Sequence, residues 1–218
     1  MQKLKAVIFD FDGVVVDSLP VHLAAWRHAC DKLFAKSILT FEHEIIGLAT
    51  DKIASIIVKK LNSDLNPKVL AQYKRDLLKS SNYHVPLIHG FLECLDFLRQ
   101  RQIPYGIASN APRAFIADLL KYHNLEIETV LGIEDSPRPK PKPDIFLACA
   151  TRLGIKFDQH QNIMVLEDSL HGLHAAVVAG MFAVGVTTQA IGEILISGGA
   201  VHCVNDHFES INLIKMIY

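Results

Sequence analysis

The chain has no excess of charge of either sign. Lys plus Arg number 22 and Asp plus Glu 23, a formal net charge of −1. Nothing in that balance holds a nucleic-acid backbone by counterion release. The densest basic stretch, Arg138, Lys140 and Lys142, is interleaved with prolines, so no nucleic acid is expected as partner. Cysteine is scarce and scattered. Cys30, Cys94, Cys149 and Cys203 form no CxxC pair; each sits among apolar or helix-forming neighbours, as a small buried hydrophobe does, and a reducing, cytoplasmic compartment is expected. Long apolar runs are missing too. The run that starts at Ala6 reaches Asp10 after four residues, too short for the core of a secretory signal. Residues 172–192 contain no Asp, Glu, Lys or Arg, but His174, Gly180, Gly185, Thr187, Thr188 and Gln189 interrupt them. A spanning helix needs ~20 predominantly apolar residues, so no membrane is expected. There is no internal repeat and no low-complexity tract.

What is present is a globular composition. Of 218 residues, 50% are hydrophobic and 21% charged, and a chain of this length buries roughly 70% of its unfolded surface without a disulfide or metal staple. Short, continuous apolar runs at residues 6–9, 103–108, 163–166 and 182–186, with a weaker copy at 129–131, have the character of strands buried on both faces of a parallel sheet. Helical patterns separate them. In residues 90–101, Phe91, Cys94, Leu95 and Leu98 share one stripe, and residues 112–122 and 143–153 open with a proline in the first turn. Strands alternating with helices from residue 85 onward predict βα units.

Residues 17–84 break that rhythm. They predict helices over 19–34, 40–47, 51–61 and 67–80 with no strand between them, the first carrying Leu19, Leu23, Trp26, Cys30 and Leu33 at amphipathic spacing. The expected fold class is α/β: a Rossmann-like parallel-sheet core, residues 1–16 and 85–218, with an inserted all-helical cap domain, residues 17–84.

Ligands of an open parallel sheet bind beyond the carboxyl ends of the strands, near the switch in strand order. Asp10, Asp12 and Gly13 follow the first run, Ser109 and Asn110 the second, the proline-rich loop with Lys140 and Lys142 the third, and Glu167, Asp168 and Ser169 the fourth. Singly, each has an ordinary explanation: a solvated turn, a helix N-cap at Ser109-Asn110, a stiff connector, a cap at Glu167-Asp168. Together they bring several carboxylates to one rim, where they repel unless compensated. A hard divalent cation such as Mg2+ resolves that conflict and takes substrate phosphate in its remaining positions. A helix starting at Ser109 and Asn110 supplies N–H groups for phosphate oxygens, and Lys140 adds positive charge. The set suits phosphoryl transfer.

Asp10-Phe11-Asp12-Gly13-Val14, Asp17-Ser18, Ser109-Asn110, Lys140-Pro141-Lys142-Pro143-Asp144 and Leu166-Glu167-Asp168-Ser169 together resemble the haloacid dehalogenase superfamily, in its β-phosphoglucomutase-like and sugar-phosphatase branch, over essentially the whole chain. The resemblance implies that Asp10 is the nucleophile, forming an aspartyl-phosphate, and that Asp12 is the general acid and then base. It implies Mg2+ held by Asp10, the Asp12 carbonyl and Asp168, with Glu167 a ligand or its neighbour. Ser109, the Asn110 amide and Lys140 bind the phosphoryl group, Lys140 rather than Lys142 because the family pattern reads Lys-Pro-x-Pro-Asp. A cap that closes on hinges near residues 16–18 and 83–86 is implied as well.

Asp12 favours phosphate chemistry over dehalogenation, since the dehalogenating members of that superfamily lack this second aspartate. A phosphomutase of the β-phosphoglucomutase type is the alternative, but it implies an arginine where Thr50 stands after Gly47-Leu48-Ala49, and a Ser-Lys pair where Ala111-Pro112 stands, with Arg113 next. Threonine does not replace a bidentate guanidinium. A phosphorylated receiver module is a second class; it places its aspartate on a middle strand and has no helical insertion. The expected activity is a Mg2+-dependent phosphatase acting on a small phosphorylated metabolite, a sugar or polyol phosphate. Candidate substrate residues are His22 and Lys74 in the cap and Arg113 in the core, each with a plain surface role as its alternative.

Overall fold

The computed structural model describes residues 3–45, 50–80 and 84–218. They form two compact units by their internal contacts, one of Met1–Asp17 with Pro86–Tyr218 and one of Ser18–Val85.

The first unit is built on a six-stranded sheet: β1 (Ala6–Phe9), β2 (Tyr105–Ala108), β3 (Val130–Leu131), β4 (Ile163–Glu167), β5 (Phe182–Val186) and β6 (His202–Val204). All neighbours are parallel in the order β3-β2-β1-β4-β5-β6, the doubly wound order of a Rossmann-like fold. The side chains of β1 alternate between two apolar layers. Ala6 and Ile8 enter one cluster with Phe146, Ala176 and Leu195, from α6 (Asp144–Arg152), α7 (Leu170–Val178) and α8 (Gly192–Ser197). Phe9 meets Phe91 and His207 on the other face, at 5.4 and 5.7 Å between ring centroids. Those rings belong to α4 (Phe91–Gln100) and α9 (His207–Ile217), so the continuous apolar runs reflect cover on both faces. Helix α5 (Arg113–Tyr122) links β2 to β3. The order reverses between β1 and β4, and this switch point sets where the loops after those strands gather.

The second unit has its own core. Helices α1 (Leu19–Phe34), α2 (Thr50–Lys60) and α3 (Pro67–Ser80) close around Trp26, Ile38, Ile45, Ile57 and Leu70. The helix expected over 40–47 is, among the described residues, one 3-10 turn at Glu42–Glu44. Phe41 and Ile45 are buried at either end of it. Between them Glu42 is drawn to Arg27 at 2.6 Å and Glu44 to Lys60 at 2.5 Å, so the segment straps neighbouring helices together. Gly47, Leu48 and Ala49 of the mutase comparison, and Tyr83 of the expected hinge, lie outside the described residues.

The elements after residue 191, namely α8, β6 and α9, have no counterpart in the sequence reading. All four cysteines are free thiols, three of them buried, and burial pushes Cys30, Cys94 and Cys149 up to about 12. Among the described residues no helix is long and apolar enough to cross a membrane.

Candidate active site

Strand β1 ends at Phe9, and the next residue, Asp10, is still held in the sheet by its N–H, which donates to the Leu166 carbonyl at 2.9 Å. The chain then turns back on itself: the Phe11 carbonyl accepts from Val15 and Val16, and the Gly13 N–H donates to the Val16 carbonyl. Asp12 rides on this turn, half-buried. Gly13 has φ of 78°, and a Cβ there would overlap the Asp168 carboxylate, so the turn admits glycine for both backbone and space.

From the neighbouring strand end, Glu167 and Asp168 enter the same spot. Carboxylate oxygens of Asp10, Glu167 and Asp168, all buried, lie within 4.8 Å of one another. Lys140 completes the group: its Nζ donates to Asp10 Oδ1 at 2.5 Å and to Glu167 Oε2 at 2.7 Å. It also sits 4.5 Å from the centroid of the Phe146 ring, a cation–π contact. The other Glu167 oxygen accepts from the Ser169 N–H at 3.1 Å and hydroxyl at 2.8 Å. Ser169 in turn caps α7 by accepting from the Gly172 N–H. A Cβ at Gly172 would overlap the Glu167 carboxyl. Glu167 therefore does not cap the following helix; its two oxygens are taken by Lys140 and Ser169.

The electrostatics follow from this crowding. Burial, with Glu167 adding to it and Lys140 opposing, pushes Asp10 up to about 7. Burial together with Glu167 and Asp10 raises Asp168 well above the ordinary carboxylate range. Burial pulls the Lys140 ammonium down, but the two carboxylates beside it outweigh that and hold it above the ordinary lysine value. A raised carboxylate pKa means that the folded chain binds protons more tightly than the unfolded one. The stability from that source is complete below about pH 4 and is lost as pH rises through about 7. In chelator, the wild-type melting temperature is thus expected to fall relative to Asp10→Asn between those values. Parallel melting curves across that range would show that Asp10 carries no such proton.

These donors fit a hard divalent cation. They are carboxylate oxygens only, they are packed more tightly than one ammonium neutralises, and Mg2+ accepts such a set together with waters and phosphate.

The phosphate-binding candidates are placed differently from expectation. Helix α5 begins at Arg113 with Pro112 as N-cap, and α6 likewise has Pro143 as N-cap. Ser109 and Asn110 therefore form the loop ahead of α5, not its first turn, because the Ser109 hydroxyl accepts from the Ala111 N–H at 3.2 Å and Pro112 has an extended backbone. Ser109 is buried at the end of β2, beside β1. The Asn110 side chain grips the backbone of Lys140, its Oδ1 accepting from the Lys140 N–H at 3.0 Å and its Nδ2 donating to the Lys140 carbonyl at 3.4 Å. Asn110 thus aims the lysine. Lys142, two residues on, is exposed.

Arg113 is bound elsewhere. Its guanidinium reaches Asp135 at 3.2 Å, and Arg152 meets the same carboxylate oxygen at 2.9 Å. In the helical unit His22 and Lys74 come together, Nζ to Nδ1 at 2.7 Å, with Nζ 5.4 Å from the Trp26 ring centroid. Lys74 is 3% exposed and is no surface lysine. One residue escaped the sequence reading. Thr188 donates through Oγ1 to the Gly13 carbonyl at 2.6 Å and lies 3.5 Å from Asp168 Oδ2. It stands just past the end of β5, and extending the strand-end argument by one strand would have found it.

The family model for haloacid dehalogenase-like hydrolases matches residues 7–186. The fructose-1-phosphate phosphatase of Escherichia coli is 31% identical over 85% of this chain and 97% of its own length. The β-phosphoglucomutase of Bacillus subtilis is 30% identical over 84% of this chain and 83% of its own. A solved haloacid dehalogenase-like protein of Agrobacterium tumefaciens superimposes with a TM-score of 0.81 over 98% of both chains at 25% identity. The strand order, the acidic cluster at its switch point and these matches agree, and the chain belongs to the haloacid dehalogenase-like hydrolase family.

Proposed function

We propose that the protein is a Mg2+-dependent phosphatase that hydrolyses a small phosphomonoester, a sugar or polyol phosphate. The observation that carries this reading is the buried cluster of Asp10, Glu167 and Asp168 around the Lys140 ammonium, set at the switch point beside Asp12. Asp10, the Asp12 carbonyl and Asp168 would hold the cation, with Glu167 adjoining them. When bound, it neutralises charge on the substrate phosphate and on these carboxylates.

In the chemistry, a carboxylate oxygen of Asp10 attacks phosphorus while Asp12 gives a proton to the departing sugar oxygen, leaving an aspartyl-phosphate. Water then attacks that phosphorus, Asp12 takes its proton, and Asp10 is restored with release of inorganic phosphate. Ser109, the loop at Asn110 and Lys140 bind the phosphoryl oxygens. Lys140 also keeps Asp10 oriented before substrate arrives. The residues Ser18–Val85 act as the cap, with His22 and Lys74 as its candidates for meeting the substrate.

The E. coli relative's substrate supports a phosphorylated carbohydrate. The mutase relative keeps a second reading in view, and two features weigh against it. Thr50 opens α2 where the mutase pattern has an arginine, and Arg113 is engaged by Asp135. Inorganic phosphate release from a panel of sugar, polyol and nucleotide phosphates, with and without Mg2+, tests the proposal. Metal-dependent release from one or a few sugar or polyol phosphates is expected. Interconversion of a hexose 1-phosphate and 6-phosphate with a bisphosphate primer, without release, would replace it with the mutase.

A further inference from the structure

His207 is the first residue of α9, far in sequence from every motif above, and it is completely buried. Its ring packs edge-on against Phe9 and Phe91, with centroids at 5.7 and 5.3 Å. In that apolar slot the imidazole makes one hydrogen bond, Nε2 to the Val14 carbonyl at 2.7 Å. A carbonyl only accepts, so Nε2 carries the proton and Nδ1 presents a lone pair. Nδ1 is buried without a hydrogen-bond partner. Packing alone would favour an apolar ring here, since a buried unpaired nitrogen is unfavourable. The residue makes sense through its other nitrogen.

Val14 belongs to the turn that carries Asp12. The turn's own hydrogen bonds use the Phe11 and Val16 carbonyls, Thr188 takes the Gly13 carbonyl, and His207 takes that of Val14. The His207 backbone N–H also donates to the His89 carbonyl at 3.0 Å. His89 lies just past the point where the chain returns to the sheet unit at Pro86. The outgoing and returning segments are already laced together, Ile88 N–H to the Val15 carbonyl and Asp17 N–H to the Pro86 carbonyl. One buried residue therefore fastens both.

We infer that His207 is a positioning residue for hydrolysis: its ring holds the Val14 carbonyl and so fixes the turn that presents Asp12, while its backbone N–H anchors the returning segment at His89. This rests on the phosphatase reading for its kinetic consequence, though not for the anchoring itself. Asp12 must reach the leaving oxygen in one orientation, and a misplacement of about 1 Å can lower turnover about 100-fold.

The test compares His207→Gln, His207→Asn and His207→Leu in the full chain with Mg2+. Glutamine carries an amide N–H to about the reach of Nε2, asparagine falls short, and leucine has no donor. The glutamine variant is expected to keep kcat within about 3-fold, and the other two to lose about 30- to 100-fold in kcat with KM changed little. Hydrogen exchange of the segment 11–17 is expected to speed up in the asparagine and leucine variants and not in the glutamine one. Equal kcat and equal exchange in all of them would overturn the inference. If leucine prevents folding, the glutamine–asparagine pair decides alone. If the wild type releases phosphate from nothing, the phosphatase reading fails, and exchange in segment 11–17 still decides whether His207 anchors the turn.

Discussion

Asp10→Asn is expected to reduce phosphate release by at least about 10⁴-fold, the scale seen when a nucleophile is removed and only binding and electrostatics remain. The amide is isosteric, so the fold should persist, and the variant is expected to melt at or above the wild type in chelator at pH 8. There the wild-type Asp10 carboxylate is ionised at a cost in desolvation in a buried, crowded site, and the amide removes that charge. Stopped-assay phosphate release and a melting curve on the same preparation check both halves. Retention of wild-type turnover would eliminate Asp10 as nucleophile and with it the aspartyl-phosphate route.

Lys140→Met is the second large effect, and it falls on stability as well as turnover. Lys140 is the ammonium that answers Asp10 at 2.5 Å and Glu167 at 2.7 Å. Removing one member of a buried ionic group leaves the others uncompensated, at a cost of about 3–5 kcal/mol. The metal-free variant is expected to be destabilised on that scale, with much of the loss recovered in millimolar Mg2+, and to lose about 10³-fold in turnover. Lys142→Met, on an exposed side chain in the same loop, is expected to change neither by more than about 0.5 kcal/mol or 2-fold. Denaturant unfolding of both variants with and without Mg2+ separates them. Equal behaviour of the two would show that the buried pairing is not what the loop is for.

The strands that carry the candidate site were readable from the chain. The runs at residues 6–9, 163–166 and 182–186 were legible as strands because a central parallel strand is covered on both faces and its sequence is continuously apolar. The first two of these runs end at acidic residues, and the buried carboxylate cluster of Asp10, Glu167 and Asp168 gathers from those two ends. The expectation for 40–47 failed because a few buried positions at helical spacing do not distinguish a helix from a strap held by ion pairs, here Arg27–Glu42 and Lys60–Glu44. The end of the chain was missed for a related reason: β6 has three residues and α8 six, too few for a periodicity to show.

Partnerships were the part that sequence could not contain. Asn110 and Lys140 are 30 residues apart, Thr188 and Gly13 175, and His207 and Val14 193. Nothing local distinguishes the Asn110 that aims a lysine from one that caps a helix. Nothing local distinguishes Arg113 bound to Asp135 from an arginine waiting for substrate. By itself the sequence determined the alternation of strand and helix, the helical character of the stretches that form α1, α2 and α3, and which residue types stand at the strand ends. Those follow from periodicity and from the chemistry of short motifs, which act over a few residues. Only the tertiary structure decided which carboxylates share one ammonium, how far their pKa values move, and which distant side chains hold the turn at Asp12. Those depend on distance and on exclusion of water, and both exist only once the sheet has brought its strand ends together.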